Sequence, residues 1–126
     1  MGQHPDTILI VEDDVFVAMD AADSVAKAGV HVMAAETVKD ALEILEISEI
    51  SAAILDFHVR DGTVTRLIER LREEGIPYRV VSGSPTAEIA ATGVPPALCS
   101  PKPADYLQVL KSLIGDRRGM SFHARA

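Results

Sequence analysis

The sequence predicts an α/β domain built on a five-stranded, doubly wound parallel sheet, a three-layer arrangement with helices on both faces. Three observations carry this. Short β-branched or apolar runs alternate with segments of helical period five times along 126 residues. Right-handed crossovers between parallel strands lay such helices over the sheet. The composition, 48% hydrophobic and 25% charged, is that of a globular chain with one packed core, not of a disordered or fibrous one.

The elements follow in order. Thr7 to Glu12 reads as the first strand, and Asp14 stands where an N-cap belongs for a helix that stops near Gly29. His31 to Ala35 is the second strand. Thr37 and Asp40 then resemble a capping box, with Asp in place of Glu or Gln, opening a helix that runs to about Ile47. Ala52 to Asp56 is the third strand, and Val64, Leu67, Ile68 and Leu71 mark one face of a third helix ending before Gly75. Tyr78 to Ser82 is the fourth strand, where Arg79 suggests that one face lies near an edge. Pro85 to Ala91 reads as a short helix and Ala97 to Cys99 as the fifth strand. Ala104 to Ile114 closes the unit as a helix with Leu107, Leu110 and Ile114 on one side, stopped by Gly115. The expected domain is therefore 7–114, with 1–6 and 115–126 as flexible termini.

Charge and composition exclude several functions. Residues 1–61 carry 13 acids against three Lys and Arg, whereas 62–126 carry six against nine. Such an acidic half suits a cation and argues against a nucleic-acid surface, which needs clustered Lys and Arg. No apolar run approaches membrane-spanning length, and no signal peptide is evident at the start. A cytoplasmic location without membrane attachment is the expectation. Cys99 is the only cysteine, so an intramolecular disulfide or a cysteine metal cluster is excluded.

In open parallel sheets, ligands bind at the carboxyl ends of the strands. Glu12 and Asp13 end the first strand, Asp56 the third and Ser82 the fourth, and Lys102 closely follows the fifth. Three carboxylates gathered there repel one another unless a divalent cation neutralises them, and oxygen-only ligands favour Mg²⁺ or Mn²⁺ over zinc. Lys102 adds a positive charge and Ser82 a hydroxyl donor, which with the cation match the oxygens of a transferring phosphoryl group. One carboxylate can then act as nucleophile and form an acyl phosphate. Asp56 is the best placed.

At these residues the chain resembles the receiver domain of two-component response regulators. The motifs are Ile-Val-Glu12-Asp13-Asp14, Leu55-Asp56-Phe-His-Val-Arg-Asp61-Gly62, Val81-Ser82-Gly83 and Lys102-Pro103, in this order and spacing. The resemblance spans about Thr7 to Ile114 and implies a flavodoxin-like, CheY-like sheet of strand order 2-1-3-4-5. It implies that Asp56 is the phosphorylated residue, with Ser82 and Lys102 contacting the phosphoryl group. Asp13 would be a direct metal ligand, Glu12 would act through water, and the third protein ligand would be the backbone carbonyl of His58. It also implies a cis Lys102–Pro103 bond. Two positions depart from the pattern: Arg60 stands where receivers usually have Pro, and Cys99 where they commonly have Tyr or Phe before the lysine. The missing aromatic and the segment leading to Gly83 are similar to stand-alone receivers of alpha-proteobacterial stress signalling.

Blander readings stand beside these. Asp14 is an N-cap, Asp61-Gly62 is turn chemistry, and Cys99 is a small buried apolar residue. His4, His31, His58 and His123 show no ligand spacing, and Arg117, Arg118 and Arg125 read as a solvated tail. The expected function is a single-domain response regulator, not an enzyme beyond its own phosphorylation and slow dephosphorylation. Its partners would be a sensor histidine kinase or phosphotransfer protein and a downstream protein target. The alternatives are a pseudo-receiver that only binds proteins and a small haloacid-dehalogenase-like phosphatase suggested by Asp61-Gly62-Thr63. The latter lacks a nucleophilic Asp at Val59.

Overall fold

The structure, a computed structural model, describes residues 6–116. The remainder of the expected flexible termini, including His4, His123 and the arginines of the tail, lies outside the described residues. Five strands, β1 (Thr7–Val11), β2 (His31–Ala35), β3 (Ala52–Asp56), β4 (Tyr78–Ser82) and β5 (Cys99–Pro101), form one sheet of order β2-β1-β3-β4-β5. Every pairing in it is parallel. Helices α1 (Val15–Ala26), α2 (Val38–Ile47), α3 (Thr65–Glu73), α4 (Thr86–Ala90) and α5 (Tyr106–Asp116) connect and follow the strands. The expected α/β class and strand order are both present. No helix among the described residues is long and apolar enough to cross a membrane.

The period-2 geometry of the strands divides the core in two. Leu9, Val11, Ala53, Leu55 and Val80 face α2, α3 and the short α4, meeting Ala41, Leu45, Leu67, Ile68, Leu71 and Ile89. Ile8, Ile10, Ala52, Ile54 and Val81 face α1 and α5, meeting Ala21, Val25, Val109, Leu110 and Leu113. Because both faces are covered, β1 and β3 carry unbroken apolar runs, Ile8 to Val11 and Ala52 to Leu55.

Local chemistry sets the helix starts. Asp14 Oδ1 accepts from the amides of Phe16 (2.9 Å) and Val17 (3.2 Å), the expected N-cap of α1. Thr37 Oγ1 accepts from Asp40 N at 3.0 Å at the head of α2. Asp105 Oδ1 accepts from Leu107 N and Gln108 N at the head of α5, so that helix begins two residues later than Ala104. After α1 the chain turns at Gly29, whose φ of +83° is a left-handed conformation that suits glycine.

Three expectations need correction, and one element is added. Residues Pro96–Leu98 form a 3₁₀ turn, and the fifth strand begins at Cys99 instead of ending there, because Pro95 and Pro96 favour a tight turn over a ladder. The buried face of α5 is Tyr106, Val109, Leu110 and Leu113, one step round from the Leu107, Leu110, Ile114 stripe, and the helix continues through Gly115 to Asp116. Strand β4 is internal, not an edge. Arg79 pairs with Ile54 on the β3 side while β5 begins only opposite Val80. Arg79 is 8% exposed, and its guanidinium donates to the carbonyls of Tyr78 (3.0 Å) and Ser112 (3.3 Å), bonds that help the sheet tolerate a buried cation. Finally, the loop after Asp56 holds a small antiparallel ladder, His58–Val59 against Gly62–Thr63, that nothing in the apolar pattern announces.

Candidate functional site

The carboxyl ends of β1, β3, β4 and β5 meet at one edge of the sheet. β1 and β3 are adjacent and in register from Ile8↔Ala52 to Val11↔Leu55, so Glu12, just past β1, and Asp56, the last residue of β3, emerge side by side. Carboxylate oxygens of Glu12, Asp13 and Asp56 all lie within 4.8 Å of one another. Into this group reaches Lys102, whose Nζ donates to Glu12 Oε1 at 2.7 Å and to Asp56 Oδ2 at 3.1 Å. Lys102 is delivered there by its own amide, which donates to Ser82 O at 3.0 Å and so extends the β4–β5 pairing past the last strand residue. The Lys102–Pro103 peptide bond is cis, as the sequence resemblance implies.

Glu12 is the most enclosed of the acids, 4% exposed, and its second oxygen accepts from Asp14 N at 3.0 Å. Both oxygens of that carboxylate are thus engaged. The Asp56 side chain is 12% exposed and that of Lys102 25%, so both are largely covered yet still reached by solvent. Burial works against the charge on Lys102, but the hydrogen bonds and charges of Glu12 and Asp56 outweigh it and hold its ammonium pKa above the ordinary lysine value. Three carboxylates against one ammonium leave the cluster a net charge of about −2 when all are ionised, which a divalent cation matches.

Ser82, buried at the end of β4, has an Oγ that accepts from Ser84 N at 3.1 Å, while its carbonyl holds Lys102. The His58 ring is exposed and lies edge-on to Phe57, with ring centres 4.9 Å apart. Among the described residues, no histidine joins the carboxylate group. Cys99 is half-buried against the core on the β5 edge, and burial pushes its thiol pKa up.

Two features were not foreseen in the sequence. Tyr106, in the first turn of α5, is buried against the site and lines a cavity of about 10 Å³ beneath Glu12 and Asp56, room for about one water molecule. Burial raises its phenol pKa. The same ring forms one wall of a groove of about 450 Å³ beside Lys102, lined also by Phe16, Val17, Asp20 and Pro103. The i, i+3, i+4, i+7 spacing of Tyr106, Val109, Leu110 and Leu113 is the signal that marks Tyr106 as inward-facing. The second feature is Asp61, which is more than a turn residue: its Oδ1 accepts from Val38 N at 2.8 Å and its Oδ2 from Lys39 N at 3.1 Å. Those bonds, led by Val38 and opposed by burial, lower its pKa. A contact spanning 23 residues leaves no local trace in the sequence.

No family model matches the sequence, and no curated protein aligns with it significantly. Solved structures do match. A CheY-like response regulator receiver domain protein from Methanospirillum hungatei superposes with a TM-score of 0.81 at 20% identity, covering 98% of this chain and all (100%) of that one. A response regulator receiver protein from Sinorhizobium medicae gives 0.80 at 24% identity, covering 90% of this chain and 98% of that one. The response regulator PhyR from Brucella abortus gives 0.75 at 23% identity, covering 98% of this chain but 54% of PhyR, so the present sequence spans about half of that protein. The fold of this chain is that of CheY-like response regulator receiver domains.

Proposed function

We propose that this protein is a response-regulator receiver that accepts a phosphoryl group on Asp56 in a two-component phosphorelay. The observation that carries the reading is the convergence of Glu12, Asp13, Asp56 and Lys102, from three separate segments, on the carboxyl edge of the sheet. The donor would be phosphohistidine on a sensor histidine kinase or phosphotransfer protein in the cytoplasm, and the output a changed protein-binding surface or onward transfer of the phosphate.

A hard divalent cation, Mg²⁺ or Mn²⁺, fits the donor set, because three carboxylates within 4.8 Å carry more negative charge than Lys102 offsets. Asp13, Asp56 and the His58 carbonyl would hold it, with Glu12 acting through water. When bound, it supplies charge neutralisation to the nucleophile and to the phosphoryl oxygens. Asp56 does the covalent work. A carboxylate oxygen attacks phosphorus in line, the new O–P bond forms as the P–N bond breaks, and the imidazole leaves with the bonding electrons and takes up a proton. Lys102, already within 3.1 Å of Asp56, moves its hydrogen bond from that carboxylate to a phosphoryl oxygen. Ser82 turns its hydroxyl to donate to a second one. The acyl phosphate then hydrolyses as water passes the side chains of His58 and Ser84.

The phosphatase alternative loses ground on a specific contact: both oxygens of Asp61 are spent on backbone amides of α2. Incubation with acetyl phosphate and Mg²⁺, followed by intact mass measurement, tests the reading. One phosphoryl mass is expected on the wild type with metal and none on Asp56→Asn. Full labelling of that variant would refute the assignment, and no labelling of the wild type would favour a pseudo-receiver.

A further inference from the structure

Two residues that the proposed reaction leaves unused, Arg60 and Asp61, reach out of the hairpin after Asp56 and grip other loops. Asp61 binds two consecutive amides at the head of α2, at 2.8 and 3.1 Å, while Thr37 takes a third. The first turn of α2 is therefore capped largely from outside its own segment, and a carboxylate there also meets the positive end of the helix dipole. Arg60 spans two further loops: one guanidinium nitrogen lies 2.9 Å from Glu36 Oε1, and the other donates to the backbone carbonyl of Asp13 at 3.5 Å. The hairpin itself has a ladder of only two residue pairs, His58↔Thr63 and Val59↔Gly62, too little to hold its own shape.

We propose that Arg60 and Asp61 form a clasp that positions the metal cradle, fixing the His58 segment against α2 and against the Asp13 loop. The clasp makes Asp61 and Arg60 positioning residues for the cation, acting through the backbone of the two loops that would ligate it. This rests on the reading that the Glu12, Asp13, Asp56 group binds Mg²⁺.

The test is Mg²⁺ affinity by isothermal titration calorimetry on the full chain, with amide exchange at Val38 and Lys39 followed in the metal-free protein. Asp61→Ala should weaken Mg²⁺ binding about tenfold, the low end for residues that orient metal ligands, and should speed exchange at both amides. Arg60→Ala, losing a longer and more exposed contact, should weaken binding severalfold, and Asp61→Asn, which keeps one acceptor oxygen, should fall between wild type and Asp61→Ala. Thr37→Ala removes a cap from the same helix end without touching the hairpin, and should bind Mg²⁺ as the wild type does. The clasp is overturned if Asp61→Ala binds Mg²⁺ normally, or if Thr37→Ala loses as much affinity, which would reduce the effect to helix stability. Should Asp61→Ala fail to fold, normal binding by both Asp61→Asn and Arg60→Ala overturns it equally. A wild type that binds no Mg²⁺ would defeat the site reading itself, a result distinct from normal binding by the variants.

Discussion

Replacing Lys102 with Met removes the ammonium from between two carboxylates that are 4% and 12% exposed, while keeping most of the volume of the stem. At 2.7 and 3.1 Å, with an effective dielectric of about 20, each contact represents roughly 5–6 kcal/mol of Coulomb energy, most of it offset by desolvation. Breaking a fully buried pair costs about 3–5 kcal/mol, and a lysine one quarter exposed leaves room for water to relieve part of that. A loss of about 2 kcal/mol is expected for Lys102→Met without metal, which for a chain of this size lowers Tm by about 6–10 °C. Thermal unfolding by circular dichroism in EDTA measures it. Added Mg²⁺ should raise Tm more in the variant than in the wild type, because the cation takes over the missing charge. Asp56→Asn made in the Lys102→Met background should recover part of the loss, since it removes one of the three like charges left facing one another. The pH dependence has a definite sign. The folded pKa of Lys102 lies above its ordinary 10.5, so its stabilisation is complete below that value and disappears as pH rises through the folded pKa. The wild-type advantage over Lys102→Met should therefore shrink only on the alkaline side. A variant with wild-type Tm in EDTA would refute the reasoning.

Three further outcomes are expected. Asp13→Asn should weaken Mg²⁺ binding more than Glu12→Gln, because Glu12 is already engaged by Lys102 and the Asp14 amide, and equal effects in a metal titration would contradict the roles assigned. The bonds from α2 lower the Asp61 pKa, so their stabilisation is present above the ordinary 3.8 and is lost as pH falls through the folded value. The gap in urea midpoint between wild type and Asp61→Asn should close below about pH 3.8, and a gap that widens would reverse that sign. Burial raises the Cys99 thiol pKa, so alkylation by iodoacetamide at neutral pH should be slower than that of free cysteine, and a faster rate would show an activated thiolate instead.

Much of the fold is legible in the sequence because a parallel sheet covered on both faces demands apolar runs, and His31–Ala35, Ala52–Asp56 and Tyr78–Ser82 coincide with the strands observed. The same buried ends explain why Glu12, Asp56 and Lys102 can be brought together on paper: in a parallel sheet every strand's carboxyl end points to one edge. Where proline intervenes, the apolar pattern loses its meaning. Pro95 and Pro96 turn Pro96–Leu98 into a 3₁₀ segment and delay β5 to Cys99. The face of α5 is misread for a different reason. Leu107 and Ile114 are apolar yet only half-buried, whereas Tyr106 carries a hydroxyl yet is inside, so hydrophobicity alone ranks them wrongly. The grip of Asp61 on α2 depends on three-dimensional proximity between segments 23 residues apart, which neither spacing nor propensity encodes.

The sheet stops on one side at β5, only three residues long, with Pro101 opposite Ser82. A proline nitrogen has no hydrogen to offer, so the outer rim of that strand provides at most the amides of Cys99 and Ser100 to an incoming chain. Two donors make a short template for a ladder. At the opposite rim, β2 presents five residues, His31–Ala35, with His31 and Ala34 exposed. Among the described residues, the sheet thus offers a longer hydrogen-bonding rim at β2 than at β5, and a strand added from another molecule would find more backbone to pair with there.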